Sequence, residues 1–146
     1  MKKTILLLAV LLLSTSVFCQ INNYRMKYVC IYENNSDGVP GDIITERDDI
    51  GTTVSMNLNK NTITIYLTEG PEVFVVTNSS KSGMFKDSDG DTYQVFTYES
   101  MDDEGIMCTI SVFTWQSSGY NIHQFWIKYS NVTLFYQGEF INRIEK

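Results

Sequence analysis

TYQVFTY at Thr92–Tyr98 and MCTISVFTW at Met107–Trp115 are the stretches that decide the fold. In the first, Tyr93, Val95 and Thr97 alternate with Phe96 and Tyr98. In the second, Cys108, Ile110 and Val112 alternate with Thr109 and Ser111. A period of two reads as strand, because successive side chains of an extended backbone point to opposite faces. Between them lies only a short polar segment containing Asp102-Asp103-Glu104-Gly105, which predicts an antiparallel hairpin.

Working outward, the same pattern recurs. Tyr24–Tyr32 sets Tyr24, Met26, Tyr28, Cys30 and Tyr32 against Arg25 and Lys27. Thr52–Leu58, Thr62–Leu67, Glu72–Thr77, Ile122–Tyr129 and Val132–Tyr136 complete eight strand candidates. Val73-Phe74-Val75-Val76 is apolar at every position, which predicts a strand buried on both faces. The gaps carry turn residues: Asn59-Lys60-Asn61, Gly70-Pro71, Asp89-Gly90, Ser117-Ser118-Gly119 and Ser130-Asn131. Asn34–Gly51 is the one longer connection, with room for an irregular loop or a short edge strand at Ile43-Ile44. No stretch after the first twenty residues shows a sustained helical period. The expected fold is all-β: about eight antiparallel strands in a meander, closed as a small β-barrel, with a two-sheet β-sandwich as the alternative.

The first residues belong to a different category. Lys2 and Lys3 precede an apolar run, Ile5–Leu13, followed by small and polar residues. That is the pattern of a signal peptide, and the run is too short to span a bilayer. Residues 1–19 are therefore expected to be a signal peptide and 20–146 a single all-β domain in the periplasm or outside the cell. Cleavage after Cys19 leaves Cys30 and Cys108, which in an oxidising compartment predicts one disulfide between them. Cleavage after Ser16 is the alternative, and a lipid anchor on Cys19 a minor third. No transmembrane segment is expected in the mature chain.

Removing Lys2 and Lys3 reduces the 11 basic residues to nine against 17 acidic ones, a net charge near −8. A surface so acidic argues against nucleic acid, whose phosphates need a basic patch. The partner is otherwise unknown.

Few residues carry chemistry. Asp87-Ser88-Asp89-Gly90-Asp91 has carboxylates at alternate positions, but Gly90 comes too early for a calcium loop, and the twelfth residue is Tyr98 rather than Glu. A solvated hairpin tip is expected, as at Asp102–Glu104, and no metal site. His123 is the only histidine and lies mid-strand without a nucleophile motif, so no catalytic residue is assigned. No cofactor is implied. Aromatic residues crowd the C-terminal third, and Trp126, Trp115 and Tyr120 are the candidate ligand-binding residues. Trp126 stands out because it alternates with Phe125 and Ile127, on the same face as Gln124 and Lys128. The expected function is that of an exported non-enzymatic domain that contacts a partner through its surface. A small barrel carrying an apolar small molecule is the alternative, and a hydrolase a second one. A filled interior, with Ile110, Val112, Phe125 and Leu134 packed together, separates the first from the second.

Overall fold

The computed structural model describes residues 20–48, 51–115 and 122–145. It contains nine strands: β1 (Gln20–Asn34), β2 (Pro40–Asp48), β3 (Thr53–Asn57), β4 (Thr62–Leu67), β5 (Gly70–Lys86), β6 (Thr92–Met101), β7 (Met107–Trp115), β8 (Ile122–Lys128) and β9 (Val132–Glu145). From β3 to β9 each strand pairs antiparallel with the next, and β9 returns to pair with β1 along nearly its whole length. β1 also pairs with β3 through Ile21–Arg25. Eight strands thus close into an antiparallel barrel, and the sandwich alternative is excluded because pairing runs without a break from β3 to β9 and on through β1 back to β3.

The ninth strand is β2. It pairs with the later half of β1, on the same edge that β3 occupies lower down. The segment expected to hold an irregular loop or a short edge strand at Ile43-Ile44 therefore holds a nine-residue edge strand outside the ring. Its free edge carries Pro40, Asp42, Glu46, Arg47 and Asp48 and has a register irregularity near Ile43, devices that discourage further pairing.

One face of each barrel strand points inward. Phe74, Phe125, Met26, Ile63, Ile65 and Ile110 are almost completely buried and belong to one cluster. Val112 is in the same cluster and Leu134 packs against it, so the interior is filled with side chains. Because a barrel has only one inside, β5 is not buried on both faces: Phe74 is 1% exposed, while Val73 and Val75 are 38% and 45% exposed.

A second correction concerns β1. Tyr24 and Met26 point inward as expected. Between Met26 and Tyr28 the register with β9 slips by one residue: Met26 pairs with Gly138 and Tyr28 with Gln137, leaving Lys27 as the extra residue of a β-bulge. A single-residue slip exchanges the two faces. Beyond it Val29 joins the core cluster, while Tyr28, Cys30 and Tyr32 turn to the outer wall. Lys27 itself forms an exposed ion pair with Glu139 at 3.0 Å.

That slip also separates the cysteines. Cys108 sits in the interior cluster, whereas Cys30 is buried on the outer side, opposite Phe135. Both thiols are free, so the expected Cys30–Cys108 disulfide is absent. Burial pushes the Cys108 thiol up to about 11, which keeps it protonated and unreactive.

Candidate functional site

Since the inner positions of β6–β9 are taken by the core, the alternate positions face outward, and many are aromatic. On β7 these are Phe113 and Trp115, 6.4 Å apart between ring centres. Tyr93 on β6 lies 5.9 Å from Phe113 and 5.6 Å from Trp115, and Phe85 on β5 stacks on Tyr93 at 5.6 Å. Towards β9, Trp126 lies 6.4 Å from Phe113 and 4.7 Å from Phe135. On β1, Tyr28 meets Phe135 at 5.9 Å, and Tyr32 lies nearly parallel to Trp126, at 5.9 Å and 13°. An unbroken strip of rings therefore crosses the outer wall from β5 to β1. The outer positions of β3 and β4 carry Thr53, Ser55, Thr62 and Thr64, with Tyr66 as their one aromatic, so the run of ring contacts lies on the β5–β1 side.

Trp126 is the hub of the strip. It is neither core nor fully exposed. Tyr32 reaches across β9 to it, and Thr133 between them is buried to 1% exposure. Thr133 Oγ1 donates to Asn34 Oδ1 at 2.7 Å, and Asn34 Nδ2 donates to the Tyr129 carbonyl at 2.9 Å, which ties the end of β1 to the β8–β9 turn. Tyr32 is pushed up to about 12 by its hydrogen bond with Cys30 and by burial, and Tyr28 is raised by its hydrogen bond to Glu46. Both phenols are neutral at physiological pH.

Beside Trp126 lies an open groove of about 300 Å³, bounded by Phe113, Pro40, Thr109, Ser111 and Lys128. Along the strip, Gln124 Nε2 donates to Gln137 Oε1 at 3.2 Å. Of the candidate residues, Trp126 and Trp115 are thus brought into one surface through Phe113, while Tyr120 lies outside the described residues. Phe113 and Phe135 were legible by parity, since each alternates with core positions. Tyr28 and Tyr32 were not, because their face depends on the bulge.

The two acidic tips lie at opposite ends of the barrel, because β5–β6 and β6–β7 are successive turns of a meander. Each is a capped turn. Asp87 Oδ1 accepts from the backbone N–H of Asp89 and of Asp91, and Asp102 Oδ1 from Glu104 and Ile106. Gly90 and Gly105 take the left-handed geometry that closes these loops, with φ of 88° and 83°. Asn35 and Gly38 repeat the arrangement between β1 and β2. The remaining carboxylate oxygens are engaged as well: Trp115 Nε1 donates to Asp87 Oδ2 at 3.0 Å, and Tyr129 donates to Asp102 Oδ2 at 3.1 Å. The Trp115 bond is the chief reason the Asp87 carboxyl titrates below its usual range. The spacing that resembled a calcium loop is therefore turn chemistry. Among the described residues no group of three His, Cys, Asp or Glu is placed to hold a metal.

At the end of the barrel that carries Asp102 there is a mouth of about 410 Å³. Val29, Ile31, Leu67 and Leu134 line it, with Arg47 and Glu72. Burial, then Asp103 and Asp102, raise the Glu72 carboxyl.

His123 points inward. Its ring lies 5.0 Å from Tyr24 and 6.5 Å from Phe140, and its Nδ1 is buried without a hydrogen bond. Burial lowers its pKa below the ordinary 6.5. The folded protein therefore resists protonation that the unfolded chain accepts. Stability should be constant above about pH 6.5 and decline as the pH falls from there towards the depressed folded value. Urea midpoints measured from pH 7.5 to pH 5 check this, and His123→Phe should flatten the profile in that window.

Among the described residues no helix is long and apolar enough to cross a membrane. No protein-family model matches the chain, and neither the curated proteins nor the solved structures contain a detectable relative.

Proposed function

We propose that this is an exported, non-enzymatic β-barrel domain that contacts a partner through the aromatic strip on its outer wall. The observation that carries the reading is Trp126. It lies on the side of β8 that faces away from the core, in contact with Tyr32, Phe113 and Phe135 and beside an open groove. The interior does not need these rings, since it is filled without them. Clustered surface aromatics of this kind are over-represented at binding hot spots.

The test is capture from the native secreted or periplasmic fraction with immobilised wild-type and Trp126→Ala protein. The variant loses three ring contacts and should be destabilised by about 2 kcal/mol, which leaves it folded. A partner retained by the wild type should be depleted at least about tenfold on the variant, equivalent to about 1.4 kcal/mol of binding. Equal retention by both proteins overturns the reading. A second reading, an apolar small molecule carried by the barrel, draws on the mouth lined by Ile31, Leu67 and Leu134. It would show as retention of a fluorescent fatty-acid probe that Leu134→Arg abolishes and Trp126→Ala does not.

A further inference from the structure

We infer that the domain binds an amphipathic monocarboxylate, a small molecule with an apolar body and one carboxylate, in the cleft between the β3–β4 turn and the inner face of the β5–β6 hairpin. The site is separate from the aromatic strip. It lies at the opposite end of the barrel from the mouth lined by Ile31, Leu67 and Leu134.

The cleft exists because β5 outlasts its neighbour. β4 covers β5 only as far as Val75, and the last tie is the Val76 N–H, which donates to the Asn61 carbonyl at 2.7 Å. Between Val76 and Asn78 the register with β6 slips by one residue, leaving Thr77 as a bulge. The slip sets Ser79 opposite Tyr98 and Lys81 opposite Phe96. Unbroken alternation from Val76 would turn Ser79 and Lys81 outward; the bulge gives them the inner face that Tyr98 and Phe96 occupy. Hairpin and turn then bound a cleft of about 380 Å³, with an apolar wall of Leu58, Val76 and Phe96. That volume suits a small molecule.

Two donors in the cleft lack partners. Tyr98 is 8% exposed, and among the described residues nothing hydrogen-bonds its hydroxyl. Buried hydroxyls are nearly always paired, so a buried phenol lining a cleft calls for an acceptor from outside. Lys81 Nζ lies 5.6 Å from the centre of the Phe96 ring and has no ion-pair partner among the described residues. It is the only charged residue lining the cleft, and no carboxylate lines it. Lys81 and Tyr98 are diagonal neighbours across the hairpin, a spacing of about 7–8 Å that a long side chain covers. One carboxylate therefore serves both donors, and the apolar wall takes the rest of the molecule. A cation would meet Lys81 with nothing to offset it. A polyanion would find one positive charge against the −6 of the whole chain. A neutral apolar molecule would leave both donors unpaired.

The experiment titrates the isotope-labelled mature domain with octanoate, 1-octanol and octyltrimethylammonium and follows the amide signals by NMR. Octanoate should bind saturably at about 1 mM or below, with shifts concentrated at Ser79–Lys81 and Phe96–Tyr98. The alcohol and the ammonium should bind at least about tenfold more weakly, the worth of one charge-assisted hydrogen bond. Lys81→Gln should weaken octanoate by about the same factor. Tyr98→Phe should weaken it about threefold to tenfold with no loss of melting temperature, because the hydroxyl it deletes has no partner in the folded domain. No saturation up to about 10 mM, equal binding of the three probes, or octanoate binding that either variant leaves unchanged overturns the inference. So does binding that Leu134→Arg abolishes, which would place the ligand in the mouth at the other end and favour the second reading of the function.

Discussion

Replacing Gly138 by alanine should disrupt the seam that closes the barrel. A Cβ at that position would lie 2.1 Å from the Arg25 carbonyl oxygen and 2.7 Å from Met26 Cα. Both are backbone atoms of β1, so no side-chain rotation relieves the contact. Gly138 pairs with Met26, immediately before the bulge at Lys27, and the bulge brings the two strands too close for any side chain on β9. The seam must open or its register must change. Overpacking usually costs about 1–3 kcal/mol, and a clash with the backbone of the closing strand belongs at or above the top of that range. We expect Gly138→Ala to lower stability by at least about 3 kcal/mol. Gly138→Val should leave no cooperative unfolding transition. The readouts are a urea midpoint and the dispersion of amide signals in NMR. A register change at this point would also turn Tyr28, Cys30 and Tyr32 back towards the interior. Any folded remnant should therefore lose the Tyr32–Trp126 pair, seen as a change in tryptophan fluorescence. Wild-type stability in Gly138→Ala would show that the approach at this seam is looser than described.

Phe125→Ala should cost about 3–5 kcal/mol. Phe125 is 1% exposed, lies opposite Val112 and Tyr136, and meets the Tyr24 ring edge-on at 5.0 Å. Truncation leaves a cavity where four adjacent strands meet, and the closed hydrogen-bonded wall prevents the backbone from collapsing into it. Phe125→Leu, which keeps most of the volume, should cost clearly less. Trp126, one residue along on the same strand, provides the contrast. Trp126→Ala should cost less than Phe125→Ala in stability and far more in binding. The opposite order would show that the outer strip is the second core layer of the domain and not its binding face.

Much of the strand map was legible. Eight of the nine strands coincide with runs of alternating or β-branched residues, and the hairpin over Asp89-Gly90 forms as its turn residues imply. The full extent of β2 was hidden because Pro40, Gly41, Asp42 and Asp48 read as loop punctuation, whereas on an edge strand such residues serve as protection against pairing. The Cys30–Cys108 pairing failed for a different reason. It assumed that a period of two runs unbroken through Tyr24–Tyr32, and one extra residue at Lys27 reverses every position after it.

The amino-acid sequence alone determined the local properties of this protein: which segments are extended, where they turn, and that Trp126 opposes Phe125. These follow from the alternation of an extended backbone and from the torsional preferences of Gly, Asn and Asp, which act over a few residues. Tertiary structure decided what depends on distant partners. Closure by β1 and β9 joins strands about a hundred residues apart in the chain, and in closing the ring it defines one inside and one outside. That is why Val73 and Val75 face outward. The Lys27 bulge, accommodated only because Gly138 lies opposite, places Tyr28 and Tyr32 beside rings from β8 and β9. The aromatic strip is therefore assembled by strand register, a long-range property, from residues whose local patterns show only that they are strands.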